Sequence, residues 1–346
     1  MAEIKNKDYK CIAFDAQYFL FRNNAALQSR TCIPTVATLN DDEGDSSIGY
    51  IINKYDYTYQ ALVKQFFWTI GKFIRDKFST DKILLLWDEP PYHKSKILPD
   101  FKGSRIHHCQ ETLDNWDVEN DPQGYLQEKE DYRCHLIMQQ AKYWIINNLS
   151  KLGFNSVIVP GFEADDLAYV FSNVWSENTL NDKSAICSAD SDWMYWIGER
   201  TDFLSFNKAE VWTEEDVDKD WGGMITDMGI SVFELKKWAD STFYSHNDLQ
   251  RTSNINWKQL PKLYSEVKSG DYSLINDVER FKLNMQSFEI EKYPNFKDAV
   301  NMIFHAFERD GNECINNWDA VHALRKDGFQ VSDNYIENFW MNLLHN

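Results

Sequence analysis

The chain has 346 residues, with 36 Lys and Arg against 54 Asp and Glu, a formal net charge of −18, and 43% hydrophobic and 15% aromatic content that includes 13 Trp. Such a chain can bury a sizeable core and is not disordered, and it has no apolar run of the roughly 18 to 20 residues needed to span a bilayer. The acidic balance argues against a protein that coats nucleic acid indiscriminately, because phosphate binding is driven by Lys and Arg, yet it is compatible with a local basic strip or a carboxylate-rich metal site.

The first residues, 1–8, carry no apolar signal core, so a soluble cytoplasmic protein is expected. The six cysteines (Cys11, Cys32, Cys109, Cys134, Cys187 and Cys314) are scattered without a CxxC pair. They read as buried thiols, and neither a disulfide framework nor a zinc site is implied.

In chain order, residues 10–14 form the first strand, ending at Asp15. A loop-like stretch over 40–47 precedes an amphipathic helix at about 55–78. Residues 82–87 form a second strand, ending at Asp88 and stopped by Pro90-Pro91. Residues 92–108 are basic and 111–131 acidic. A long helix is expected over about 130–151, closed by Gly153. Residues 155–159 form a third strand, 163–174 a helix, 184–188 a fourth strand and 203–206 a fifth. Strands alternating with helices predict an α/β fold, with a mostly parallel central sheet covered by helices. From about 225 onward helical periodicity dominates, which divides the chain into an α/β part (1–224) and a helical part (225–346).

Chemistry in such sheets is placed beyond the carboxyl ends of the strands. Asp15 and Asp88 end the first two strands; Glu163, Asp165 and Asp166 follow the third; Asp190 and Asp192 follow the fourth. One Asp after a strand is usually a turn or cap residue. Repetition at four consecutive strand ends points instead to a shared site. Seven carboxylates clustered without basic partners would repel one another unless cations neutralise them. Oxygen ligands suit Mg²⁺ or Mn²⁺, and two such ions roughly 3.5–4 Å apart are a standard arrangement for phosphodiester hydrolysis.

The order Asp15, Asp88, Glu163-Ala164-Asp165-Asp166, Asp190-Ser191-Asp192 resembles the flap endonuclease and 5′-to-3′ exonuclease superfamily, and within it the phage ribonuclease H group of the T-even type. Phe101-Lys102-Gly103-Ser104-Arg105 is similar to the family's aromatic-Lys-x-x-Arg element at the base of a helical arch (about 90–130 here), and residues 278–294 to its C-terminal helix and following Pro. The likeness covers roughly residues 10–295. It implies a PIN-like 5′ nuclease fold and Mg²⁺-dependent cleavage near 5′ ends of RNA–DNA hybrid, duplex or flap DNA, in the phage relatives for primer removal during replication. Asp15, Asp88, Glu163 and Asp165 would surround the first ion. Asp190 and Asp192, with Asp166 as a further candidate, would serve the second; the division stays open because carboxylates bridge. A monomer is expected, with a single-stranded DNA-binding protein or sliding clamp as partner hypotheses.

Lys94, Lys96, Lys102, Arg105, His107 and His108 form a basic strip in an acidic chain. Lys102 and Arg105, three apart, would share a helical face, place a strand and help polarise the scissile phosphate. Tyr92 and Phe101 read as packing ahead of base stacking. The family's helix-three-turn-helix usually reads Gly-Asp-x-x-Asp-Asn; here residues 244–249 supply Asp248 for the second Asp but lack the Gly and first Asp, and Asp240 falls too early. Arg251 remains for a phosphate contact. The altered turn favours a second reading, a nuclease-derived module that binds nucleic acid or a replication partner with weak or no cleavage. The retained strand-end acids favour the enzyme. An apolar stripe at residues 339–344 reads as core packing.

Overall fold

The computed structural model describes residues 7–31, 35–40, 46–51, 57–102, 109–148, 154–178, 182–208, 210–243, 249–308 and 324–329. Arg105, His107, His108, Gly153, Asp248 with the 244–248 turn, and the 339–344 stripe therefore lie outside the described residues.

Strand β1 (Lys7–Asp15) runs into α1 (Ala16–Thr31), which is followed by β2 (Thr35–Asn40), β3 (Ser46–Ile51), α2 (Tyr59–Lys77) and β4 (Phe78–Trp87). The short α3 (Lys94–Ile97) and α4 (Gln110–Asp114) lead to α5 (Pro122–Asn148), β5 (Asn155–Ile158), α6 (Ala164–Asn178) and β6 (Ser184–Ser188). A 3₁₀ turn (Ser191–Trp196), β7 (Thr201–Ser205) and β8 (Glu210–Trp212) complete the strands. The remaining helices are α7 (Glu214–Asp220), α8 (Met224–Met228), α9 (Val232–Thr242), α10 (Leu260–Lys268), α11 (Val278–Ser287) and α12 (Phe296–Glu308).

The main sheet has the order β5-β4-β1-β6-β7-β8, parallel throughout except for the antiparallel β7–β8 pair. The register sets Ile12 beside Ile83 and Ala185, and Ala13 beside Leu84 and Ile186. Strand alternation then sends each strand's residues to two cores. Ile12, Phe14, Ile83, Leu85 and Trp87 pack with α1, α2 and α5, whereas Cys11, Ala13, Leu84 and Leu86 pack with α6. Each fully buried side chain of this size contributes about 1.5–3 kcal/mol, and burial on both faces explains why the strands read as continuous apolar runs.

Two expectations change. Asn40, Ser46 and Ser47 belong to a β2–β3 hairpin rather than to a loop; Val36, Thr38 and Ile48 supply the alternating β-branched residues that favour it. The long helix begins at Pro122, earlier than its apolar period suggests. Asp121 caps it through the Gly124 amide at 2.8 Å, and Pro in the first turn presets the backbone. The acids Glu111, Asp114, Asp117, Glu119 and Asp121 form an exposed outer face. Helix α8 begins at Met224, and the core beneath α6 continues without a break through Leu235, Trp238, Leu263, Phe281 and Ile303. The helical part is thus welded to the sheet. No helix among the described residues is long and apolar enough to cross a membrane.

Candidate active site

The acids reach one edge because each is fixed as a cap at a strand end. Asp15 closes β1 and accepts the Tyr18 amide of α1 at 2.9 Å and the Ser188 hydroxyl of β6 at 2.9 Å. Asp88, beyond β4, accepts the Ala164 amide at the start of α6 at 2.7 Å. Asp165 takes the Trp193 indole N–H at 2.7 Å, and Asp190 caps the 3₁₀ turn through the Asp192 amide at 2.9 Å. The ordinary capping role and the shared site are therefore linked: capping places Asp15, Asp88 and Asp190 on one edge, and the Trp193 indole holds Asp165 of α6 beside them.

A close backbone approach holds the 88–94 and 160–163 segments together. Glu89 N–H donates to Phe162 O at 2.9 Å, and His93 N–H to Gly161 O at 2.8 Å. Gly161 has φ +88°, and a Cβ there would lie 2.4 Å from His93 Nε2. Only glycine fits both conditions.

That approach turns Lys94 inward, and here the structure corrects the sequence reading. The cluster does have basic partners. Lys94 is buried, with Nζ 2.8 Å from Glu163 Oε2 and 2.8 Å from Asp166 Oδ1. Lys102 pairs with the other Glu163 oxygen and lies 4.7 Å from the centre of the Tyr92 ring. Lys236 of α9 lies 2.9 Å from Asp240 and 3.6 Å from Asp192. Lys94 is thus no part of an exposed phosphate strip, while Lys96 is exposed. Lys102 takes a left-handed φ of 57° in a turn beyond α3, so it does not continue a helix toward residue 105. Arg251 is exposed, but its Nε and Nη2 donate to the Ser253 and Ile255 carbonyls at 2.5 and 3.3 Å, so its fork closes its own loop. Phe101 is buried beside the core, as packing requires.

The electrostatics follow the pairing only in part, since burial and Glu163 raise Asp166 despite Lys94. Burial would raise Glu163, but Lys94 and Lys102 outweigh it and hold the carboxyl at about 2. Burial pulls Lys94 down, and Asp166 and Glu163 overcome this to keep the ammonium charged. Asp15 is pushed well above the usual carboxylate range by burial and then by Asp165 and Asp88, against the Tyr18 and Ser188 hydrogen bonds. Asp165 is pushed up to about 7 by burial, then by Glu163 and Asp190, with Lys94 and Lys102 opposing. Neither Asp15, Asp88, Asp165 nor Asp190 has an ion pair among the described residues. Two carboxylates raised by burial and by neighbouring acids, among further hard oxygen donors, suit a divalent cation such as Mg²⁺ or Mn²⁺. As the side chains stand, no three His, Cys, Asp or Glu groups among the described residues converge into a ready-made ligand set, each acid being held by its own hydrogen bonds or ion pairs.

Lys236 and Asp240 were missed as members of the cluster. Their i, i+4 spacing on one helix face was the available signal. Arg280, within the 278–294 motif, pairs with Asp100 at 2.9 Å and so ties α11 to the turn carrying Phe101 and Lys102.

Residues 10–222 match the family model described as the 5′-3′ exonuclease, N-terminal resolvase-like domain. No curated protein matches the chain. Among solved structures, the fold is similar to that of the T5 D15 protein co-crystallised with metal ions, at 14% identity over 90% of this chain and 100% of that chain, with a TM-score of 0.52. A bacteriophage T5 D15 flap endonuclease in a pseudo-enzyme-product complex with DNA and metal ions aligns at 14% identity over 97% and 99% of the two chains, TM-score 0.44. The catalytic core of Rad2 in complex with DNA substrate aligns at 12% identity over 87% and 79%, TM-score 0.36. The family match spans more than half of the sequence and takes in every strand-end acid named above, and the chain belongs to the 5′-3′ exonuclease family.

Proposed function

We propose that this protein is a divalent-metal-dependent 5′-to-3′ nuclease that hydrolyses phosphodiesters near the 5′ ends of RNA–DNA hybrid, duplex or flap DNA, in the manner of primer removal during replication. The observation that carries this reading is the pair Asp15, buried, and Asp165, half-buried, both raised by burial and by neighbouring carboxylates and neither ion-paired among the described residues. A fold that needed these positions only for packing or capping would gain from amides there.

In this reading Asp15, Asp88 and Asp165, with exposed Asp190 at the rim, hold Mg²⁺ or Mn²⁺. When bound, the ion acidifies a water and offsets charge on the scissile phosphate. Glu163, kept ionised by two lysines, fixes Lys94 and Lys102 beside that set. Lys102, partly exposed and lying over Tyr92, is the cation placed to meet a phosphate. Exposed Lys96, and Arg105 by its sequence position alone, are the further candidates for phosphate contact.

The test is cleavage of 5′-labelled RNA–DNA hybrid and 5′-flap DNA with Mg²⁺, Mn²⁺ or EDTA, beside Asp165→Asn. Short 5′ products that need metal and vanish in the variant are expected. A second reading, a binding module with weak or no cleavage, is favoured by one observation: three lysines already satisfy Glu163, Asp166, Asp192 and Asp240. Tight binding of the same substrates without cleavage under either metal would select it.

A further inference from the structure

Lys236 is among the largest fully buried side chains of the protein, at 1% exposure. Lysines are almost never buried so completely unless paired, because the stem of a partly buried lysine normally carries the ammonium to water. Here that route is closed. The Tyr195 and Trp196 rings flank Nζ at 4.9 and 5.6 Å, and the Trp221 indole fixes the Tyr195 hydroxyl at 3.0 Å. The ammonium is aimed instead between two carboxylates from different elements, Asp240 one turn along α9 and Asp192 from the 3₁₀ turn after β6. Burial would discharge Lys236, and Asp240 and Asp192, with a further contribution from Asp165, hold it charged.

An apolar residue would fill the same space without this desolvation, so packing does not explain a lysine. Charge does. A cation held between Asp192 and Asp240 offsets the same repulsion that a metal ion shared by these acids would offset, and it cannot dissociate. Among the described residues no such cation is ion-paired to the opposite half of the cluster, Asp15, Asp88 and Asp165.

We propose that Lys236 is a built-in substitute for one of two metal ions, so that the free protein takes up a single divalent ion, at Asp15, Asp88 and Asp165, while Asp192 and Asp240 are already occupied. Lys236 is a positioning residue: its ammonium is buried and reaches no substrate. The inference rests on the metal-dependent reading above and departs from the two-ion arrangement that the family resemblance implies.

The experiment counts bound Mn²⁺ on the full chain without nucleic acid, by titration calorimetry and by the loss of the free-ion paramagnetic resonance signal. One ion per chain is expected for the wild type and for Lys236→Arg, and two for Lys236→Met, whose melting temperature should also rise with Mn²⁺ more than that of the wild type. Two ions on the wild type, or one on a folded Lys236→Met, would overturn the proposal. Should Lys236→Met fail to fold, the triple variant Asp192→Asn, Lys236→Met, Asp240→Asn, which removes both signs of charge together, decides. It should keep one ion, and loss of that ion would place the wild-type ion at Asp192 and Asp240 and overturn the proposal. No Mn²⁺ on the wild type would sink the metal-dependent reading itself. A two-ion wild type would leave that reading standing and remove only the role given to Lys236.

Discussion

The two sides of the acid cluster solve one electrostatic problem differently. Around α3 and α9, Glu163, Asp166, Asp192 and Asp240 are matched by the ammoniums of Lys94, Lys102 and Lys236. At the ends of β1 and β4 and the start of α6, Asp15, Asp88 and Asp165 have hydrogen-bond donors but no ion pair among the described residues, and burial with repulsion from neighbouring acids raises Asp15 and Asp165. Paired acids are structural by default, because the charge they bring is already spent. Unpaired buried acids hold charge in reserve for something that binds. The same sheet edge therefore carries a scaffold and a working surface, distinguishable by their partners.

The sharpest way to break this contrast is to neutralise one acid on each side. Asp165→Asn should lower cleavage of a 5′-labelled hybrid by at least about a hundredfold, the upper end of what loss of a mere supporting group costs a metal site. Asp192→Asn, on the lysine side, should cost clearly less. Equal losses in initial rate would show that the lysine-paired acids are working groups too. The stability effects should run the other way. Lys94→Met strands Asp166 without its ammonium and leaves Glu163 to Lys102 alone, and breaking a buried pair from one side costs about 3–5 kcal/mol. Urea unfolding should show that loss, and adding Asp166→Asn should recover most of it.

A milder probe acts on the scaffold through its backbone. Gly161→Ala forces a Cβ to 2.4 Å from the His93 ring at a φ of +88°. Overpacking of this kind costs about 1–3 kcal/mol. His93→Ala in the same chain should return the steric part and leave the strain of a left-handed alanine, about 1–2 kcal/mol. Because the His93–Gly161 contact positions Lys94 and not Asp15, the variant should lose stability without losing the metal site. An equal fall in metal affinity would mean that the two sides are not separable.

The acids were legible in the sequence because strand ends are local features: an apolar run, then an acid, repeated four times. The sheet followed for the same reason, and the caps that aim Asp15 and Asp190 lie within three residues of them. The lysines were not legible. Lys94 looks like one member of a basic run, and only the Gly161 backbone, far along the chain, turns it inward. Lys236 comes from a helix that no strand pattern links to β6, and its partner Asp240 appeared misplaced when judged against a family motif instead of against its neighbour four residues away. The acidic run hid a helix start because Asp121 reads as solvated charge until Pro122 is recognised as a first-turn residue.

The smallest expected effect tests whether the scaffold side is as inert as its pairing implies. His93 is buried between the Phe162 and Tyr293 rings, and burial, then the Lys96 charge, holds its pKa below the ordinary 6.5. Lys94 adjoins it in sequence, and Tyr293, whose hydroxyl donates to Ser287 O, is raised by burial and stays neutral. With a depressed folded pKa, the native state binds fewer protons than the unfolded chain, so this group favours unfolding as pH falls through about 6.5. The urea midpoint of the wild type should therefore drop relative to His93→Phe on going from about pH 7.5 to about pH 5.5. The drop should survive addition of a divalent ion, because His93 lies on the lysine side and holds no metal. A drop that Mg²⁺ abolishes would tie His93 to Asp15 and Asp165, and the line between scaffold and working surface would have to be redrawn through the Gly161 contact.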